Sequence, residues 1–188
     1  MKIRAWVTLT LRDTKSGKVL SRRRFRSHSY VIAFLDILYE QFIGVAQSIT
    51  DTGGTSRSVS AHANSFSSKA PASTSVWGLV VGTGTTAVAL TDTKLVTQIA
   101  HGTGAGQLSH GLVEYLVPST SGTTRKFILT RSFVNVSGST ITIQECGSYS
   151  CATATPYYFC TVRDLVSGGQ AVLNGQTLAL QYTISVTV

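Results

Sequence analysis

The sequence predicts a mainly β protein, built as an antiparallel β-sandwich, and three observations support this prediction. Both ends of the chain alternate strictly between apolar and polar residues, which is typical of strands with one buried face. Short apolar runs in the last third are separated by turns of Gly, Ser and Asn. Only one segment repeats apolar residues with a helical period. With 188 residues, the chain is long enough for one domain with a real core.

The N-terminal part, residues 1–46, is expected to be a hairpin followed by a long helix. Alternation from Lys2 to Arg12 predicts the first strand, a turn follows at 13–17, and residues 18–25 return as the second strand. Ser27 or Ser29 can cap a helix that runs to about Ile43. The expected buried stripe of this helix is Val31, Phe34, Leu35, Leu38 and Phe42, with Ala33, Asp36 and Glu40 on the other side. Ile32, Ile37, Tyr39 and Ile43 widen the stripe, so most of the helix is expected to be covered.

Residues 47–75 are too polar to form a core of their own, with nine Ser and four Thr among them. We expect a long polar loop or an extended assembly arm. Its anchors would be Ile49, Val59 and Phe66, held either by the body of the same domain or, as favoured here, by adjacent subunits. In the second case the arm is flexible in the free subunit and ordered in the assembly.

Residues 76–188 are expected to form the body of the sandwich, with a jelly-roll-like arrangement. Strands are predicted at 76–81, 112–117, 126–136, 140–145, 157–162 and 178–188. Pro118 is expected to end the second of these strands. Residues 137–139 are expected to join two strands as a hairpin, and Asn174-Gly175 is expected to form a turn before the last strand.

A glycine motif, Gly82-Thr83-Gly84-Thr85-Thr86-Ala87, follows the apolar run at 76–81 and matches a dinucleotide-binding fingerprint. Its context argues against that function. The residues after Gly84 are poor helix formers, and no carboxylate lies about 20 positions further on to hold a ribose. The second glycine loop, 102–106, lacks the Gly-Lys-Ser/Thr ending of a phosphate-binding loop. We therefore expect no cofactor, and a strand that ends in a glycine turn.

Other candidates for chemistry are sparse, so we expect no enzyme activity and no metal site. The four His residues form no close pair, and the eight carboxylates are scattered. Cys146, Cys151 and Cys160 lack a Cys-x-x-Cys spacing. They are expected to be free thiols, with a Cys146–Cys151 bridge as the alternative in an oxidising medium.

The charge balance points to an anionic partner, because 16 basic residues face 8 acidic ones. The basic residues with a clear direction are Arg22, Arg23, Arg24 and Arg26. They could neutralise phosphates or an acidic neighbour, although protection of an edge strand by charge is the favoured interpretation.

No run approaches the roughly 18 apolar residues of a membrane helix, and no signal peptide develops after Met1. We expect synthesis without secretion and no membrane contact.

Several segments together resemble uncharacterised virion structural proteins of tailed phages and environmental viruses. They cover nearly the whole chain: 29–39 with 51–54, 78–87, 98–104, 135–138 leading into 143–147, 162–164 and 174–178. Members of this family carry Glu-Val-Gly-Leu-Tyr where this chain has Glu145-Cys146-Gly147-Ser148-Tyr149, which is a local departure. The resemblance implies a component of a virus particle, made in the host cytoplasm, and it supplies no catalytic residue.

The leading hypothesis is therefore a non-enzymatic virion structural protein that self-associates as a capsid or capsid-decorating protein. Placement in a tail or fibre is an alternative within the same class. The expected partners are copies of the chain and other virion proteins, with low charge density (13% of residues) as support. The alternative of another class is a glycan-binding module at a phage tip, in which Trp6 and Trp77 form a sugar platform.

Overall fold

The computed structural model describes residues 2–27, 29–60, 64–154 and 156–188 of the chain, without the side chain of Lys2. It is mainly β, with antiparallel sheets and one helix, as the sequence predicts. The elements in chain order are β1 (Lys2–Asp13), β2 (Val19–Ser27), α1 (Ile32–Ile43), β3 (Gln47–Thr50), β4 (Ser56–Val59), β5 (Phe66–Ser67), β6 (Gly78–Gly82), β7 (Ser109–Ser121), β8 (Thr124–Val134), β9 (Ile141–Ala152), β10 (Tyr157–Val172) and β11 (Gln176–Thr187).

Two sheets form the sandwich. The large sheet has the order β2-β1-β11-β8-β7, and the small sheet has the order β10-β9-β5, with β6 also paired to β9. A separate hairpin consists of β3 and β4. The strictly alternating ends of the chain pair with each other at the centre of the large sheet, where Leu9 lies opposite Leu180. The core lies between the two sheets because alternate residues of both point inward.

Inward residues of the two sheets bury each other in one cluster. The large sheet contributes Val7, Leu9, Phe133 and Leu180, and the small sheet contributes Val81, Ile143 and Val166, all at most 2% exposed. The period-2 pattern in the sequence therefore identifies the buried face of β1 and β11 correctly.

Two predicted turns are confirmed and one predicted hairpin is wrong. Gly17 and Gly175 adopt φ values of 68° and 81°, in the left-handed region that glycine enters without strain. Residues 135–140, by contrast, connect β8 in the large sheet to β9 in the small sheet. The buried Asn135 side chain shapes this crossing, since its amide donates to the carbonyls of Ser139 (2.8 Å) and Val172 (2.7 Å).

Pro118 does not end β7, contrary to the prediction. The strand continues to Ser121, with a register shift between Leu116 and Ser119. Because β7 is an edge strand, it can hold a proline that donates no hydrogen bond.

The expectation of a long N-terminal helix is wrong, because the chain begins with β1 and α1 has only 12 residues. Neither Ser27 nor Ser29 caps it. The residue before the helix is Val31, which makes no capping side-chain bond. Instead, the Ser29 carbonyl accepts the Arg163 N–H (3.1 Å), so this stretch runs along β10 before the helix starts. The helix ends at Gly44, whose φ is 67°. In the described part of the chain, no helix is long and apolar enough to cross a membrane.

The buried side of α1 also differs from the predicted one, although Ile37, which widens the predicted stripe, is buried. Ala33, Ile37 and Glu40 are buried, whereas Leu35, Leu38 and Phe42 are exposed. The reason lies in what the helix contacts. It packs on β10 and β3, where Ala33 and Ile37 join a cluster with Phe159 and Ile49. The stripe of large apolar residues therefore faces away from the domain.

The segment 47–75 is not an extended arm. Its first part folds into the β3–β4 hairpin, and β5 pairs with the end of β9. Ile49 and Val59 are 1% and 2% exposed and lie in one cluster with Phe159, while Phe66 packs against the same cluster. Pockets across a subunit boundary are thus not needed to hold them, because the domain itself buries Ile49 and Val59 and partly buries Phe66.

We predict that Ile49→Ala lowers the free energy of unfolding by about 2–5 kcal/mol, the usual cost of truncating a buried Ile. Val45→Ala is the matched control, since Val45 is 60% exposed and its loss leaves no internal cavity. Urea unfolding of the monomer measures both. If both variants lose equally little unfolding free energy, Ile49 is not held by the domain, and the hypothesis of a flexible arm would be supported instead.

Candidate functional site

The first candidate is the glycine motif, which lies over the outward face of the small sheet. The fully buried Glu145 of β9 occupies its centre. Its Oε1 accepts the N–H groups of Gly84 (3.1 Å) and Thr97 (2.8 Å), and its Oε2 accepts that of Val96 (3.1 Å). A Cβ at Gly84 would lie 2.5 Å from Oε1. The motif therefore needs glycine because the Glu145 carboxylate approaches the backbone closely, and no bound ligand is required to explain it.

Arg163 of β10 completes this cluster. Its Nε donates to Glu145 Oε2 (2.9 Å) and its Nη1 to Asp92 Oδ2 (2.7 Å). Its Nη2 donates to the Thr86 carbonyl (2.7 Å), so the guanidinium and the carboxylate both hold the loop. The Arg163 and Glu145 side chains have no exposed surface. With its hydrogen bonds directed at its own backbone, the cluster is an internal brace.

We predict that Gly84→Ala lowers the free energy of unfolding by about 1–3 kcal/mol, because the new methyl group displaces the loop from Glu145. Gly104→Ala is the control from the second glycine loop. Its Cβ would meet only the flexible end of Gln107, at 3.0 Å from Oε1. Thermal or urea unfolding compares the two variants, and equal stability would show that the carboxylate does not require a glycine at position 84.

A second buried cation, Arg131 of β8, has a different environment. It is 1% exposed and donates to five backbone carbonyls, those of Pro71, Thr74, Trp77, Leu79 (2.9 Å) and Gly111 (2.7 Å). Burial lowers the pKa of Arg131 to about 10, so it stays charged at neutral pH. It fastens the segment before β6 to the large sheet.

His110 of β7 lies beside Arg131 and is 2% exposed. Burial, followed by the charge of Arg131, lowers the pKa of His110 to about 4. Its Nδ1–H faces the Thr74 carbonyl (3.3 Å), and its ring contacts those of His101 and Phe133. The imidazole is therefore neutral, and it has a structural role.

His110 makes stability depend on pH. Its pKa in the folded state is below the ordinary value of 6.5, so the unfolded chain binds the proton more tightly. The contribution is complete above 6.5 and is lost as the pH falls towards 4. We predict that the wild type loses about 2 kcal/mol more than His110→Asn between about pH 7 and pH 5. Urea titrations of both proteins measure the difference, and parallel pH profiles would contradict the prediction.

The cysteines are buried free thiols in the structure. The alternative of a Cys146–Cys151 bridge is wrong, since the two residues are five positions apart on β9, about 17 Å along a strand, and a bridge needs Cα atoms within about 7 Å. Cys146 contacts Tyr182 (3.4 Å), whose hydroxyl donates to Asp164 (3.0 Å). Burial raises the pKa of Cys146 strongly and that of Cys160 to about 12, so both stay protonated and unreactive.

The arginines of β2 divide into two groups. Arg22, Arg24 and Arg26 alternate with inward residues and are exposed on the outward face of the large sheet. Arg23 points the other way and donates to the carbonyls of Ser167 and Gly169. It therefore ties the edge of the large sheet to β10 and is not part of the exposed group.

The two tryptophans do not form one platform. Trp6 lies on the outward face of the large sheet, with the guanidinium of Arg24 4.4 Å above its ring. Trp77 precedes β6 of the small sheet and packs against two buried clusters. A sugar platform made by both residues is therefore excluded by their places in the fold.

One cavity of about 610 Å³ opens between the two sheets beside α1. Its lining is aromatic, with hydroxyl groups from the small sheet: Tyr30, Phe34, Tyr115, Phe127, Tyr182, Ser148, Ser150 and Thr161. No carboxylate lines it. Sequence reasoning missed this cavity because its walls come from both sheets and the helix.

Comparison with protein-family models, with curated proteins and with solved structures gives no match. Among the described residues, no group of three or more His, Cys, Asp or Glu side chains could hold a metal ion. The arrangement includes internal braces, an apolar cavity beside α1, a basic sheet face and an exposed helix stripe. The functional interpretation therefore depends on the surfaces.

Proposed function

We propose that the chain is a non-enzymatic virion structural protein that self-assembles through the outward stripe of α1. It would act as a capsid or capsid-decorating protein, with tail or fibre placement as the alternative. The observation that carries the proposal is the exposure of Leu35 (59%), Leu38 (40%), Tyr39 (56%) and Phe42 (81%). These positions share one helix face, and contiguous exposed apolar surface marks interaction sites.

This apolar surface continues beyond the helix. Phe34 and Leu38 form one wall of the cavity mouth, and Tyr115 and Phe127 of the large sheet form the opposite wall. Val117 on the adjoining edge strand is 83% exposed. An apolar surface spanning a helix, a cavity mouth and a strand edge resembles the core of a permanent interface.

A second copy of the chain is the occupant that fits this surface. Residues 32–43 include two carboxylates and no cation, and one of the two, Glu40, is buried. The helix part of this surface therefore offers a partner almost no charge to recognise, so a matching partner surface is mainly apolar as well. The same patch on a second copy meets that requirement through a symmetric contact.

Placement in a virion is supported by the resemblance stated above and by the low share of charged residues, 13%. Two-sheet sandwiches, including jelly rolls, occur among viral capsid domains, which is support by analogy of fold alone. The glycan-binding alternative is not supported, because Trp6 and Trp77 lie in different parts of the fold and form no joint platform.

We predict that the wild type forms concentration-dependent oligomers and that Leu35→Ser/Phe42→Ser is monomeric, with the unfolding midpoint that the wild type has at concentrations too low for association. The two side chains lie on the surface of the subunit, so their loss weakens association without opening the core. Val76→Ser/Leu90→Ser removes two other exposed apolar side chains (49% and 62% exposed) and should assemble as the wild type does. Sedimentation velocity measures association, and electron microscopy shows whether the assemblies are closed shells, tubes or fibres. A monomeric wild type at all concentrations would overturn the proposal.

A further inference from the structure

The outward face of the large sheet carries a row of cations that no other described part of the domain covers. Alternation and register place Arg22, Arg24 and Arg26 of β2 on this face, with Arg4 and Arg12 at the two ends of the same side of β1. The helix packs elsewhere, on β10 and β3. Sequence reasoning found three of these five arginines, because only the pairing of β1 with β2 brings Arg4 and Arg12 beside them.

Polar groups suited to phosphate surround the row. Thr10 lies directly opposite Arg22 and is half-buried, and Lys126 of β8 is exposed and points outward on the same face. Hydroxyl groups and cations are the side chains that contact nucleic-acid backbones. Of the described residues on this face, Glu114 alone carries a carboxylate, and it lies on β7 at the opposite edge, about 19 Å from β2.

The spacing of the row favours a linear polyanion. Outward residues two positions apart on a strand are separated by about 7 Å, so the three arginines of β2 form a straight line of regularly spaced charge. Trp6 contributes to order in this line, because the Arg24 guanidinium lies over its ring. With that ring face covered, Trp6 does not serve as a stacking platform for a base, and recognition is directed at the backbone.

A second copy of this chain cannot supply the anionic partner. Of its eight carboxylates, Glu40, Glu145 and Asp164 are buried, and Asp51 and Asp92 form ion pairs with Arg57 and Arg163. The other three, Asp13, Asp36 and Glu114, lie on three different elements, β1, α1 and β7. The chain thus has no acidic surface that matches its own basic face.

We infer that this face binds the phosphate backbone of nucleic acid without sequence preference, independently of the apolar surface used for self-association. An acidic protein is the competing partner of another class. It matches the observations less well, because a straight row of cations on an open sheet suits the repeating charge of a nucleic-acid strand.

The test is fluorescence anisotropy with labelled mixed-sequence oligonucleotides, single-stranded in one arm and duplex in the other, over a range of salt concentrations. The variant is Arg22→Ser/Arg24→Ser/Arg26→Ser. The matched control is Lys15→Ser/Lys69→Ser/Lys94→Ser, which removes three exposed cations from other parts of the surface. Both variants change the net charge from +8 to +5 (8 − 3 = 5), so they separate the face from total charge.

We expect the arginine variant to lose at least about tenfold in affinity and the lysine control to stay near the wild type. The slope of log K against log salt should fall by about 2 for single strands or about 3 for duplex, as for three lost phosphate contacts. Replacing the same three arginines by Lys should preserve that slope, since the charge remains. All variants are first shown to unfold at the wild-type urea midpoint.

Three results would overturn the inference. One is a wild type that binds neither oligonucleotide at low salt. The second is an equal loss of affinity in the arginine variant and the lysine control, which would indicate net charge alone. The third is tighter binding of poly-glutamate than of either oligonucleotide, which would assign the face to an acidic protein.

Discussion

The buried pair of Glu145 and Arg163 is the interaction on which the covering of the small sheet depends. The two residues lie on neighbouring strands, β9 and β10, and together they hold residues 83–97 by backbone N–H and carbonyl groups. A polar loop lying on a sheet would otherwise leave those groups without partners. Burying such a charged pair costs desolvation free energy, and the ion pair together with its hydrogen bonds to the loop offsets that cost.

The two sheets therefore have different outer surfaces. The small sheet is covered by the glycine loop, the β3–β4 hairpin and α1, and residues of all three are buried against it. The large sheet has arginines and threonines on its outer side. The surfaces proposed for interaction are therefore the outer face of the large sheet and the apolar surface that runs from α1 to the cavity mouth and the edge strand β7.

Short-range pattern predicts the parts of this fold that pair locally, and it fails where a distant partner decides. Alternation identifies β1, β2 and β11, because each has one side on the core. Alternation cannot show that β8 and β9 lie in different sheets. The connection between them is held by a hydrogen bond from the buried Asn135 amide to the carbonyl of Val172 on β10, which is distant in sequence. The buried side of α1 was predicted wrongly for the same reason. Hydrophobicity favours Leu35 and Phe42, but the surface below accommodates Ala33 and Ile37.

The excess of positive charge has a structural explanation that composition cannot supply. Arg57 and Arg163 are neutralised by carboxylates, and Arg23 and Arg131 bind backbone carbonyls. These ion pairs use Asp51, Asp92 and Glu145, three of the eight carboxylates, and none of the arginines on the outer face of the large sheet. Glu40 and Asp164 are buried as well, so five of the eight carboxylates are buried or paired, whereas Arg22, Arg24 and Arg26 are exposed. Few carboxylates of the chain are thus left to balance the basic face, and the nucleic acid proposed as its partner would supply the missing negative charge.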